Sequence, residues 1–358
     1  MSIEDAYIPG DLSRATPHGI PNLPASSFVA TVTPIWENRN GSTESDRISI
    51  EVDLPAWQRK LAPMLMLGEV LTAIVTPFDR EGRVDLACFR ELASFLVENG
   101  SDGIVVCGTT GEAPTLSDAE KFELFEAAVD VLRGRATVVA GVGTYDTAHS
   151  MHLAKRATEI GVDGLLVVTP YYNLPPQRAI VAHFEAIAAE SDLPIVVYNI
   201  PARVVRNIEP ETIERLAAIP TVRAVKQANA DLDQARQIPG FGLDLYAGDD
   251  NLLRAFLDLG AKGVISVHAH VAGPQVKEMI RLFREGDHEG ATQMDDELAP
   301  AYDLLKVQTN PIAIKAALNL LGHDVGGLRL PLVEADEAET AAVRDCLERL
   351  GALQRTSV

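Results

Sequence analysis

Lys226 closes the short run VRAVK, an unusual place for a charge in a stretch that otherwise reads as buried strand. An ammonium whose stem begins inside a folded core is poorly solvated, so the neutral amine is favoured and its pKa falls. A neutral amine attacks a carbonyl carbon, and the imine so formed can lose a neighbouring proton to give a nucleophilic enamine. The same position also suits a lysine that buries its stem and runs its ammonium out to water. Position alone leaves the two readings level.

The ends of other apolar runs carry hydroxyls. Thr109 and Thr110 stand in GTTGE (108–112), whose flanking glycines allow a tight turn offering N–H groups and hydroxyls to a carboxylate. TPYYN (169–173) and YNIPAR (198–203) each deliver a phenol, from Tyr171 and Tyr172 and from Tyr198, the last followed by Arg203. An aromatic at a strand end is more often packing than catalysis, but two such ends beside an arginine and a strand-end lysine favour proton transfer. Thr76, the Gly248–Asp250 turn and Ser266 complete the strand-end residues. His268 and His270 form an H-x-H, yet the other strand ends hold Thr and Tyr, so a structural role is favoured over a metal site.

These residues need a scaffold that brings many strand ends to one face. From Gly68 onward, β-branched runs alternate with segments of helical period. The runs are VLTAIVTP (70–77), GIVVCGTTG (103–111), TVVAGVG (137–143), GLLVVTPYY (164–172), PIVVYNIP (194–201), VRAVKQAN (222–229), LDLYAGDD (243–250) and GVISVHAH (263–270). Nearly continuous apolar strands are those of a parallel sheet buried on both faces. Eight strand–helix repeats predict an α/β fold, a (β/α)8 TIM barrel, over 67–286. A doubly wound sheet would want a glycine-rich loop after its first strand, where this chain has VTPFDREGRVD. Helical stretches near 289–306, 310–321 and 336–350 predict a C-terminal helical appendage over 287–358.

Residues 1–66 carry clustered prolines and polar tracts such as ENRNGSTESD without sustained periodicity, and are expected to form a poorly ordered extension. SSFVATVTP (26–34) is a candidate strand there, and Met64 or Met66 a candidate true start. A formal charge of −20 disfavours nucleic acid and anionic membrane as partners. No apolar run reaches membrane-spanning length, and the first residues lack the pattern of a signal peptide. Cys88, Cys107 and Cys346 lie far apart, which suits a reducing cytoplasm.

GTTGEAPTLS, VVTPYYNLPPQ, YNIPAR, the Lys226 strand, AGDD and NPIAIK (310–315) follow one another in an order and spacing that resembles the dihydrodipicolinate synthase and N-acetylneuraminate lyase family. The resemblance runs from about Gly68 to the C-terminus. It implies that Lys226 forms a Schiff base with pyruvate, so that no separate cofactor is needed, and that Tyr198 donates and accepts the proton. Thr109 and Tyr172 complete the relay, Tyr172 reaching into a neighbouring subunit of a homotetramer built as a dimer of dimers. Thr110, Gly248 and the backbone near Ile265 hold pyruvate, and Arg203 holds the carboxylate of the second substrate. The Thr109–Thr110 pair and Arg203 favour the synthase branch, which condenses pyruvate with L-aspartate 4-semialdehyde in lysine and diaminopimelate biosynthesis. The alternative is another pyruvate-dependent aldolase or lyase of the family, acting on N-acetylneuraminate or a 2-keto-3-deoxy sugar acid.

Some positions depart from the pattern. Gln227 stands where many members carry an acidic residue, which would alter charge around the imine, and Val204 replaces a usual threonine. Where lysine-sensitive members carry polar and histidine side chains, this chain reads Ala113, Pro114, Asp118, Lys121, Tyr145 and His149, which argues against feedback inhibition by lysine.

Overall fold

In the computed structural model residues 67–354 are described. The expectations for residues 1–66, including the candidate strand at 26–34, fall outside them.

Eight parallel strands close into a barrel in chain order, with β1 pairing both β2 and β8. They are β1 (Val70–Ala73), β2 (Gly103–Val106), β3 (Thr137–Gly141), β4 (Gly164–Val168), β5 (Ile195–Asn199), β6 (Val222–Gln227), β7 (Asp244–Ala247) and β8 (Gly263–Ser266). Every residue of β1, β2, β5 and β8 is buried, as expected for strands covered on both faces. One set of side chains, among them Leu71, Val105, Val139, Leu166, Val196, Ala224 and Ile265, fills the barrel interior. The alternate set packs outward against the helices.

The strands begin at or within one residue of the apolar runs but stop short of their ends. VLTAIVTP leaves the ladder after Ala73 and GIVVCGTTG after Val106. Residues beyond those points turn away to form the loops of the C-terminal face.

Several of the barrel helices start on side-chain caps. Asp85 caps α1 (Leu86–Glu98), accepting from Ala87 and Cys88 N–H. Ser117 and Glu120 form a reciprocal capping box on α2 (Asp118–Leu132). The ring continues through α3 (Thr147–Ile160), α4 (Gln177–Ala188), the single turn α5 (Pro201–Val204), α6 (Pro210–Ala217), α7 (Leu232–Gln237), α8 (Leu253–Asp258) and α9 (Ala269–Arg284). Beyond it lie α10 (His288–Glu297), α11 (Ala299–Val307), α12 (Ile312–Leu320) and α13 (Glu337–Arg349). The stretch expected as one helix over 289–306 is thus two. Pro300 lies in the first turn of α11, where its missing N–H costs nothing but from where it cannot prolong the preceding helix.

Candidate active site

Lys226 sits near the end of β6, in register with Tyr198 of β5 on one side and Tyr246 of β7 on the other. It is 5% exposed, so its ammonium does not run out to water. Its Nζ lies 4.3 Å from the centroid of the Tyr198 ring. Burial pushes the Lys226 pKa down to about 8, against the opposing fields of Asp250 and Asp249 and with the help of Arg203. The Tyr198 phenol is pushed above its usual range by burial, while Arg203 and the adjacent Thr109 side chain pull the other way. The site therefore pairs an amine with appreciable neutral character and a phenol that stays protonated.

Both groups line a cavity of about 250 Å³ at the C-terminal end of the barrel. Thr109, Thr110, Arg203 and Gly248 line it with them. Thr109 and Thr110 reach it on a turn whose two ends are left-handed without glycine, Cys107 and Glu112 each having φ 55°. Within the turn, Glu112 N–H donates to Thr109 O (3.1 Å) and Ala113 N–H to Gly108 O (3.3 Å). Gly248 is required by close approach: a Cβ there would stand 2.7 Å from Ala228 Cβ and 2.9 Å from Gln227 O. Arg203 belongs to the α5 turn, which carries its guanidinium to the cavity and to Asn310 O at 3.4 Å.

Other strand-end residues are placed elsewhere. Ile265 is fully buried in the barrel interior and does not line the cavity. Tyr172 is 92% exposed with φ 65° and points into neither main cavity of its own chain. Tyr171 packs edge-on against Tyr145, with centroids 5.3 Å apart, beside a second cavity of about 490 Å³. That cavity also meets Asp118, Lys121 and His149; there His149 Nε2 lies 2.9 Å and Lys121 Nζ 3.6 Å from Asp118. Thr76 is buried and donates its hydroxyl to Gly111 O (2.7 Å), bracing the threonine turn from below.

The two histidines of the H-x-H have separate jobs. His270 Nε2 accepts from Val75 N–H (3.2 Å) and its Nδ1 meets Val267 O (2.7 Å), and burial holds its pKa down to about 4. His268 Nδ1 lies 2.8 Å from Asp250 Oδ1. Burial opposes ionisation of Asp250, but His268, Ser266 and the Val267 N–H outweigh it and bring its pKa to about 2. Among the described residues there is no group of three His, Cys, Asp or Glu side chains able to hold a metal.

Gln227 does not touch the lysine amine, so its neutrality bears on the charge there only from a distance. Successive side chains of a strand face opposite ways, and Gln227 joins an amide network outside the barrel wall. Its Oε1 accepts from Asn199 Nδ2 (3.1 Å) and its Nε2 donates to Asn229 Oδ1 (2.9 Å).

Sequence reading missed the contribution of the C-terminal helices. Tyr302, Leu305 and Lys306 of α11 and Asn310 before α12 line the lysine cavity. Asn310 Nδ2 donates to Thr110 Oγ1 at 2.9 Å. The signal was present in NPIAIK, but nothing in its spacing says that it returns to the barrel mouth.

The sequence model of the dihydrodipicolinate synthetase family matches residues 66–350. The chain belongs to that family. Among its relatives, the 4-hydroxy-tetrahydrodipicolinate synthase of Moorella thermoacetica is 47% identical over 290 residues, covering 80% of this chain and 99% of its own. A crystal structure of the family enzyme from Cyanidioschyzon merolae with lysine bound superposes with a TM-score of 0.79 at 41% identity, covering 80% of this chain and 99% of that one. The dihydrodipicolinate synthase of Acinetobacter baumannii, solved in complex with pyruvate, matches with a TM-score of 0.78 at 33% identity, over 80% and 100% of the two chains.

Proposed function

We propose that this chain catalyses the condensation of pyruvate with L-aspartate 4-semialdehyde to give 4-hydroxy-tetrahydrodipicolinate, the step that commits carbon to lysine and diaminopimelate, with Lys226 as the covalent residue. The observation that carries the lysine's role is its amine, buried against Tyr198 with its pKa near 8, in a cavity that also holds Arg203. The relatives' name supplies the reaction.

In this reading the neutral Lys226 amine adds to the keto carbon of pyruvate and water leaves, giving the imine. Thr110 and the Gly248 turn hold the pyruvate carboxylate. The imine withdraws electrons from the methyl group, which loses a proton and becomes an enamine. Its carbon attacks the aldehyde of the second substrate, and the aldehyde oxygen takes a proton from Tyr198, replenished through Thr109. The amine of that substrate then attacks the imine carbon, closes the ring and returns Lys226 as free amine, so that one water is lost overall. Arg203 supplies a charge-assisted contact to the second carboxylate. No separate cofactor enters.

Tyr172 acts in this proposal on a neighbouring copy, in a homotetramer arranged as a dimer of dimers. In support, Tyr172 is exposed, and other exposed apolar side chains, Leu174 and Val205, stand on the loops linked by the hydrogen bond from Arg206 to Leu174 O (3.2 Å). The three cysteines are free, which fits a cytoplasmic enzyme, and no described helix is long and apolar enough to cross a membrane.

A coupled assay with pyruvate and L-aspartate 4-semialdehyde, run beside N-acetylneuraminate and 2-keto-3-deoxygluconate cleavage, tests the reading. Turnover with the semialdehyde is expected to dominate. Preference for either sugar acid would transfer the chain to the lyase side of the family.

A further inference from the structure

Outside the cavity, one buried ion pair ties four separate segments together. Lys315 of α12 is 1% exposed, and its Nζ donates to Glu112 Oε1 (3.0 Å), Thr76 O (2.8 Å) and Gly327 O. The other Glu112 oxygen accepts from Arg329 N–H (3.1 Å), so both carboxylate oxygens are engaged. The Lys315 ammonium also lies 4.3 Å from the centroid of the Phe78 ring. Nothing about this pair is needed to run the chemistry directly, since neither side chain lines the lysine cavity.

Its location gives it a task. Glu112 ends the turn that carries Thr109 and Thr110, in a left-handed conformation that a residue with a Cβ adopts at a cost and keeps only where its surroundings fix it. The adjoining Gly111 is closely packed: a Cβ there would meet Cys107 Cα and Ile74 O at 3.2 Å. Thr76 holds the same turn twice, its hydroxyl donating to Gly111 O and its carbonyl accepting from Lys315. From the other side, Asn310, two residues ahead of α12, fixes the Thr110 hydroxyl.

We propose that Lys315, through its ion pair with Glu112, is a positioning residue that holds the Cys107–Glu112 turn so that the Thr109 and Thr110 hydroxyls meet Tyr198 and the pyruvate carboxylate. The α12 segment thereby sets the geometry of a site on the far side of the barrel sequence. The proposal rests on the roles given above to Thr109 and Thr110.

Removing only one partner would strand a buried charge and strongly destabilise the fold, so the informative variant removes both: Lys315→Met with Glu112→Gln. Melting temperature, kcat, KM for pyruvate, and cyanoborohydride trapping of pyruvate on Lys226 are measured, alone and in a Thr109→Val background. A double-mutant cycle isolates the coupling between contacting groups. The expected result is a folded protein with kcat/KM for pyruvate reduced about 10–100-fold, and a reduction much smaller than that once Thr109 is already valine. Normal kinetics in the folded pair variant, or full additivity with Thr109→Val, overturns the proposal. Should the pair variant not fold, Glu112→Asp, which keeps both buried charges but draws the carboxylate back from Lys315 by one methylene, is put through the same cycle with the same two outcomes deciding. Absence of trapping in the wild type would instead sink the Schiff-base reading and leave the positioning claim without its site.

Discussion

The amine of Lys226 titrates far below an ordinary lysine, and the consequence is measurable. Moving its pKa from 10.5 to about 8 favours the neutral form by roughly 3 kcal/mol, at about 1.4 kcal/mol for each tenfold change. At about pH 7 roughly one-tenth of the amine is then neutral, some 300-fold more than for a solvated lysine. The sign follows from the proposed chemistry: the neutral amine is the form that adds to pyruvate. Reactivity is therefore half its maximum near about pH 8, nearly full about one unit above, and falls about tenfold for each unit of acidity well below. The assay is the rate of inactivation by cyanoborohydride with saturating pyruvate across the pH range, with peptide mapping of the reduced pyruvyl adduct. A midpoint near pH 8 and an adduct on Lys226 are expected. Arg203 disfavours the ammonium and Asp250 favours it, so Arg203→Leu should move the midpoint up. A midpoint near that of a free lysine, or an adduct on Lys306 or Lys315, would refute the reasoning, because desolvation would then not be what activates the nucleophile.

Tyr198→Phe should lower kcat by about 10²–10⁴-fold with little change in KM for pyruvate, as expected for a proton carrier; steady-state kinetics showing a change confined to KM would make it a binding residue. Tyr172→Phe and Lys226→Ala, each nearly inactive alone, should recover activity when co-expressed, because mixed assemblies contain a site with both wild-type groups; no recovery would place Tyr172 outside its neighbour's site. Arg203→Ala should raise KM for the semialdehyde by about 10–100-fold, the worth of a charge-assisted hydrogen bond, while leaving trapping with pyruvate alone intact at alkaline pH; equal loss for both substrates contradicts that assignment. A chain beginning at Met66 should keep its activity and its assembly by size-exclusion, since the family match begins there; loss of either would give residues 1–65 a structural role.

The barrel and the buried strand-end lysine were legible in the sequence because each is written in contiguous residues. Eight apolar runs, buried on both faces, specify parallel strands by composition alone, and a lysine ending one of them is anomalous wherever the strand lies. GTTGE and YNIPAR likewise announce turns with hydroxyl and guanidinium groups. The tertiary structure alone decided where those runs stop, because the ladder ends where neighbouring strands end, not where hydrophobicity does: Ile74, Val75 and Cys107 are as apolar as the residues before them yet lie beyond β1 and β2. It alone separated the two histidines, sending His270 to backbone partners and His268 to Asp250. It turned Gln227 away from Lys226, since one step along a strand is one change of face. Above all it brought Asn310 to Thr110 and Lys315 to Glu112, partners 200 and 203 residues apart. Local propensity carries no information about such pairs; they are fixed by barrel closure and by the path of the last helices back across its mouth.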